Sequence, residues 1–240
     1  MPAYNAAQTI ERTVAAIPEG VADDIILVDD NSKDQTTEVS KALGLITITH
    51  SANKGYGGNQ KTCYQAALDR GADIVIMIHP DYQYDPRLTP YLAGLIADDV
   101  CDVVFGNRIR TRGEALAGGM PLWRYTINRL MSIVENVWAG QNLGEWLSGM
   151  RAYSREVLET VPWEENSDDF VFDQQFSHQA AVMGFRLGDI PVNAKYFDEG
   201  SSINFRRSMS FGFGTLGVMF WVLLHRLGLY THRLLVPKKR

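Results

Sequence analysis

The stretch Ile74-Val-Ile-Met-Ile-His-Pro-Asp-Tyr-Gln-Tyr-Asp-Pro86 limits what this chain can fold into more than any other part of it. Its five apolar residues, Ile74 to Ile78, form a continuous run of the kind that fills a strand buried on both faces. The run stops abruptly at His79, Asp81, Gln83 and Asp85. Oxygen and nitrogen donors at the carboxyl end of a buried strand stand where open α/β sheets bind their ligands. A site is therefore expected here.

Other segments follow the same plan. Ile25 to Val28 is a second apolar run ending in Asp29-Asp-Asn-Ser32, and the residues from Asp34 to Leu43 read as a helix closed by Gly44. Ile46 to Thr49 is a weaker strand, followed by Asn53-Lys-Gly-Tyr-Gly-Gly-Asn59 and a helix to about Arg70. Three glycines in four positions permit close backbone approach to a ligand, or simply make a turn. The loop is neither a Walker A loop nor a dinucleotide fingerprint. Val103-Val-Phe105 is a further strand with Gly106-Asn-Arg108 at its end, where Arg108 either meets a phosphate or joins a surface ion pair. Regular alternation of strand and helix implies a largely parallel sheet with helices on both faces.

The chain opens directly at a turn. Asn5 and Gln8 are spaced like a capping box ahead of the stripe Ile10, Val14 and Ile17. The strand that should feed this turn is missing before Pro2, so the true start is expected upstream. Asp85 and Pro86 suit the N-cap and first residue of a helix with the stripe Leu88, Leu92, Leu95 and Ile96, which makes Asp85 a cap rather than a ligand.

After Phe105 the pattern changes. An amphipathic helix is predicted from Leu122 to Trp138, with Leu130, Val134, Val137 and Trp138 as core and Arg124, Asn128, Ser132 and Glu135 along another face. Arg124 and Asn128, one turn apart, are candidates to grip a phosphate. Ser148-Gly-Met-Arg-Ala-Tyr-Ser154 reads as a turn into a short strand, and Pro191 marks a late edge strand. Asp168, Asp169 and Asp173 near a helix start are candidates for base or ligand work, or are caps.

Composition excludes several classes. With 45% hydrophobic and 21% charged residues over 240 positions, the chain is an ordinary globular protein of one domain or at most two. Cys63 and Cys101 lack metal-ligand spacing and read as reduced structural thiols of a cytosolic protein. The net charge of −5 divides unevenly: residues 1–199 carry −12, and the last 41 carry +7. That polarity suggests attraction to phosphate or to an anionic membrane surface, not general nucleic-acid binding. Residues 208–224 hold no charge but include Phe211, Phe213, Phe220 and Trp221. Seventeen residues broken by Gly212, Gly214 and Gly217 fall at the lower limit for spanning, so a helix in the membrane interface is expected, with Lys238, Lys239 and Arg240 near headgroups. Burial against a partner protein is the alternative.

Pro2-Ala-Tyr-Asn5, Val28-Asp-Asp-Asn-Ser-Lys-Asp34, Asn53-Lys-Gly55, the Asp81 stretch, Gly106-Asn-Arg108 and Ser148-Gly-Met-Arg-Ala-Tyr153 occur in the order seen in family 2 glycosyltransferases. The chain resembles the dolichol-phosphate mannosyltransferase-like branch of that family. The resemblance implies a GT-A fold over residues 1–204, that is, a Rossmann-like open sheet, followed by a basic, apolar, amphipathic segment over 205–240. It also implies transfer of a hexose-type sugar from a nucleotide-diphosphate sugar to a polyprenyl phosphate or a cell-envelope glycan precursor. A divalent cation, magnesium or manganese, and a peripheral place at the cytoplasmic membrane face come with it.

Residue by residue, the resemblance puts Pro2, Ala3, Tyr4, Asn5, Asp29, Asp30, Asn53, Gly55 and Lys61 at nucleotide-sugar positions. It puts Arg108, Arg124 and Asn128 near an acceptor phosphate. The family's acidic metal motif falls on His79, Asp81 and Gln83, so histidine replaces the first acid and favours manganese over magnesium. Catalytic candidates are Asp81, Asp173 as base toward a sugar hydroxyl, and Arg206, which with Arg207 would close over the phosphates. The branch's C-terminal Gly-x-Ser-Lys is here Gly200-Ser-Ser-Ile203, without its lysine. Two other readings are a catalytically impaired nucleotide-sugar binder and a phosphoacceptor receiver domain, the latter resting on Ile26-Leu-Val-Asp-Asp30 with Asp81.

Overall fold

The apolar runs become strands in a computed structural model that describes residues 1–193 and 205–238, with side chains from Phe211 onward in the last helix. Strands β1 (Pro2–Ala3), β2 (Ile26–Asp29) and β3 (Ile46–Thr49) form a parallel block in that order. Strands β4 (Ile74–Met77), β5 (Val103–Asn107), β6 (Arg151–Ser154) and β7 (Leu187–Pro191) form a second block in the order β4-β6-β5-β7. In it β6 runs antiparallel to both neighbours, and β7 is parallel to β5. Helices α1 (Ile10–Ala15), α2 (Thr36–Ala42), α3 (Gly55–Asp69) and α4 (Thr89–Ala97) connect the early strands, and α5 (Arg112–Ala117), α6 (Leu122–Ala139), α7 (Arg155–Thr160), α8 (Phe172–Val182) and α9 (Phe205–Arg226) follow.

Successive residues of the central strands feed opposite cores. Val103, Phe105 and Tyr153 join a cluster with Tyr64, Trp146 and Phe176, while Val104 and Ala152 join one with Leu27, Ile78 and Leu92. That alternation is what a sheet covered on both faces requires. The α/β GT-A expectation stands, and β7 ends on Pro191 as an edge strand beside β5 alone.

At the start of the chain, β1 is present but short. The Met1 amino group donates to Ile26 O at 2.7 Å, and pairing with β2 covers only Pro2 and Ala3. A cavity of about 450 Å³ lined by Met1, Ile25, Ile26, Ile74, Val75 and Ile76 lies where β2 and β4 have no strand pairing with each other. Asn59 of α3 ties the first block together by donating to both Ala3 O and Val28 O.

Three expectations need correction. Asn5 does not cap α1, whose N-cap is Thr9. Its Oδ1 accepts from Lys33 N at 2.8 Å, and its own N–H donates to Ser32 Oγ, so the side chain joins the turns after β1 and β2. The Gly55–Gly58 run is the first turn of α3, and what approaches it closely is this chain's own backbone. A Cβ on Gly57 would lie 2.4 Å from Ser167 O, and the Gly57 and Gly58 amides donate to Asp168 O at 2.8 and 3.2 Å.

The third correction is the orientation of α6. Asn128, Ser132 and Glu135 face inward, whereas Leu130 and Val137, expected in the core, are 61% and 68% exposed. The polar side is buried because the loop after the helix needs partners for its backbone: Asn136 bonds both the N–H and C=O of Leu143, and its Oδ1 accepts from Trp146 Nε1 at 2.8 Å. Helix α9 packs against α6 and α8, burying Thr215, Val218, Met219 and Val222. The segment after it folds back instead of trailing toward headgroups. Leu234 and Leu235 are buried, Arg233 pairs with Glu165, and Lys238 pairs with Glu164. Lys239, Arg240 and the Gly200–Ile203 motif lie outside the described residues.

Candidate functional site

Backbone strain gathers at the carboxyl ends of the strands. Asn5 after β1, Asn31 after β2 and Tyr82 after β4 have φ of 52°, 62° and 55°. Left-handed backbone is uncommon for residues other than glycine, more so for a bulky tyrosine, and it persists where surrounding contacts over-determine it. All three fall at the strand ends where open α/β sheets place ligands.

At the end of β2, the acidic pair Asp29 and Asp30 organises backbone. Asp29 accepts from Ser32, through both its amide and hydroxyl, and from the Thr37 hydroxyl. Asp30, 3% exposed, accepts from Lys54 N at 2.8 Å, Gly55 N at 3.0 Å and His50 Nδ1 at 2.7 Å. Its carboxylate therefore meets the amides at the start of α3. Asn53 Nδ2 donates to Asp30 O, so Asp30, Asn53 and Gly55 form one contact group. Pro2 and Ala3 are buried, while Tyr4 is open to solvent. Lys61 is drawn away by Asp168 at 2.7 Å.

Beyond β4 the structure gathers His79, Asp81 and Asp173. Tyr56 stands between them: its hydroxyl donates to Asp173 Oδ2 at 2.7 Å and lies 3.1 Å from His79 Nε2. Gln60, one turn along α3, donates to Asp173 Oδ1 at 3.0 Å. Burial holds the His79 imidazole below its ordinary pKa, opposed by the nearby carboxylates of Asp81 and Asp173. Gly149 packs closely on the site, since a Cβ there would sit 3.1 Å from the His79 ring and press on it, and its N–H donates to Tyr84 Oη. Asp85 is a cap, as expected, accepting from Arg87 N with Pro86 first in the turn.

The donor set around Asp81 suits a divalent cation that draws most of its ligands from phosphate. Asp81 Oδ1 accepts from Gln83 N at 2.9 Å, and its other oxygen accepts no hydrogen bond from the described residues. His79 Nε2 is already met by Tyr56. Among the described residues no group of three or more His, Cys, Asp or Glu would cage an ion unaided. One carboxylate plus substrate phosphates is a common arrangement for magnesium-type ions.

The residues expected near an acceptor phosphate are less convergent. Arg108 forms an ion pair with fully buried Glu145, and its guanidinium also donates to Leu147 O. The pair is internal, not at the surface as expected. Arg124 lies over the Trp123 ring at 5.7 Å, and Asn128 is buried on the inner side of α6. The side chains of Arg206 and Arg207 lie outside the described residues.

Three residues of the site carried no role in the sequence reading. Tyr56 and Gln60 had an available signal, their i, i+4 spacing on a polar helix start. Arg151, 1% exposed, donates to Ser148 O, Trp146 O, Asp173 O and Ser177 Oγ, and lies 3.7 Å from Asp173 Oδ2. An arginine inside a strand buried on both faces is the signal that marked it.

Glu135 gives a pH-dependent prediction. It is fully buried, neither oxygen has a hydrogen-bond partner among the described residues, and burial raises its pKa well above the ordinary glutamate value. A raised folded pKa favours the folded state fully below the unfolded value, and that advantage is lost as pH rises through the folded value. Glu135→Gln should therefore melt with the wild type near pH 4. At pH 8 it should gain about 2 kcal/mol, or roughly 4–8 °C, in thermal melts. A constant difference at both pH values would contradict a buried proton on Glu135.

Comparison with known proteins identifies the family and the fold. The family model described as Glycosyl transferase family 2 matches residues 1–161. A UDP-N-acetylglucosamine–dolichyl-phosphate N-acetylglucosaminyltransferase of Methanococcus voltae is 27% identical, over 82% of this chain and 84% of that protein. An undecaprenyl-phosphate mannosyltransferase of Micrococcus luteus is 25% identical, over 80% of each. The crystal structure of glucosyl-3-phosphoglycerate synthase from Mycobacterium tuberculosis with Mn2+, uridine diphosphate and phosphoglyceric acid shares the fold. It has a TM-score of 0.62 and 19% identity over 95% of this chain and 77% of that one. The receiver-domain reading falls away, because the match to this family covers both of its acidic segments.

Proposed function

We propose, from the premise that this chain belongs to glycosyl transferase family 2, that it moves a hexose from a nucleoside-diphosphate sugar onto a polyprenyl phosphate at a membrane surface. The observation that carries the reading is the group at the end of β4, where Tyr56 joins His79 to Asp173 and the Asp81 carboxylate acts on the same imidazole. The relatives from Methanococcus voltae and Micrococcus luteus support the acceptor class by their names.

In this reading Asp29, Asp30, Asn53 and Gly55 shape the nucleotide side, with Tyr4 free to lie against the base. Asp81 and Gln83 hold the divalent cation, with His79 beside them. When bound, the cation offsets negative charge growing on the leaving diphosphate. Arg206 and Arg207 belong to the basic segment that would close over the same phosphates.

The acceptor follows from Asp173. Both of its oxygens are engaged, by Tyr56 and by Gln60, so taking a proton from a sugar hydroxyl requires one of those bonds to break. An ionised phosphate needs no base, and positioning does most of the work. Arg108, Arg124 and Asn128 are the proposed acceptor side, with Arg108 oriented by Glu145.

The test is a transfer screen with labelled UDP- and GDP-hexoses against a polyprenyl phosphate and against free sugar acceptors, with manganese or magnesium present. Label is expected in the lipid product. Transfer to the free sugar alone would reassign Asp173 as base, and nucleotide-sugar binding without transfer would support the impaired-binder reading.

A further inference from the structure

We propose that α6 and α9 together form a face that docks on an anionic lipid bilayer, with both helices lying in the plane of the interface. The inference builds on the reading of a membrane-borne acceptor and adds the side of α6 to the interfacial helix expected over residues 208–224, which α9 contains.

From Ile127 to Val137, every fully exposed residue of α6 is apolar, and the same holds on α9 from Phe213 to Phe220. The two helices pack on each other, and Arg226 of α9 donates to Val137 O and Trp138 O at the end of α6, so the apolar sides stand on neighbouring helices. Large contiguous apolar patches on a soluble domain mark a binding face. Burying Asn128, Ser132 and Glu135 beneath it is the reverse of what a helix exposed only to water would do.

Charge selects the occupant. The acidic residue of α6 is Glu135, which is buried and has a raised affinity for its proton, and α9 has no acidic residue. Arg124, Arg129 and Arg226 lie on the same two helices, and Trp123 is exposed at the start of α6. An apolar surface on two helices that carry these arginines, an exposed tryptophan and no exposed carboxylate matches the chemistry of an anionic headgroup layer over acyl chains. Neither helix is long and apolar enough to cross a membrane, which fits docking on the surface.

The test is flotation of the full chain with vesicles of phosphatidylcholine and phosphatidylglycerol, and with phosphatidylcholine alone. The wild type is expected to float with the anionic vesicles and to be partly released by salt. The double variant Leu130→Glu, Val137→Glu is expected to lose about tenfold in bound fraction. Its melting temperature and UDP binding should stay unchanged, because both positions are solvent-exposed and outside the site. A second pair, Leu216→Glu with Phe220→Glu, should behave alike.

Equal flotation of variants and wild type would overturn the proposal. So would a wild type that stays in solution as a dimer dissociated by the same variants, because the face would then join two copies of the chain. A protein that floats yet transfers no sugar would count against the proposed reaction while leaving the docking face standing. One that transfers sugar to a detergent-solubilised lipid but never floats would do the opposite.

Discussion

Replacing Asp81 with alanine should lower sugar transfer by about a thousandfold, equivalent to about 4 kcal/mol of transition-state stabilisation. Manganese should then no longer strengthen UDP binding in calorimetric titrations. Asp81 supplies the carboxylate oxygen in the β4 donor set that accepts no hydrogen bond from the described residues. Its removal leaves an imidazole already met by Tyr56 and an amide. Folding should barely suffer, because the other Asp81 oxygen makes one local bond to Gln83 N. A loss of about 1 kcal/mol or less is expected in thermal melts. Manganese dependence that is the same in variant and wild type would remove Asp81 from the site.

Arg151→Ala should cost about 3–5 kcal/mol of stability, or roughly 8–15 °C in melting temperature. The side chain is enclosed in the sheet and bonds three backbone carbonyls and the Ser177 hydroxyl, besides facing Asp173. Truncation would leave those acceptors buried without a donor and the Asp173 carboxylate without its nearest cation. Arg151→Lys should recover only part of the loss, since an ammonium cannot reproduce the planar fork. Near wild-type melting of the alanine variant would mean that water replaces the guanidinium.

The sheet was legible because strands such as β2 and β4 are short apolar runs that give way abruptly to polar residues. Ile46–Thr49 matched its predicted limits, and Asp85 with Pro86 capped the turn assigned to them. The approach of His79 to Asp173 was not, because it depends on Tyr56 bridging from α3, a contact across the fold that no local pattern encodes. The direction of α6 was misread for a similar reason. Periodicity identifies two faces of a helix but not which one meets the core, and here the Leu143–Trp146 loop claims the polar one.

The interruption between β2 and β4 also has a mechanical side. With no strand ladder crossing it, the two blocks are held together by side-chain packing, Val28 sharing one core cluster with Met77 and Leu27 the other with Ile78. Helix α3 reinforces that join from one element, with Asn59 bonded to Ala3 O and Val28 O in the first block and the Tyr56 hydroxyl between His79 and Asp173 beyond β4.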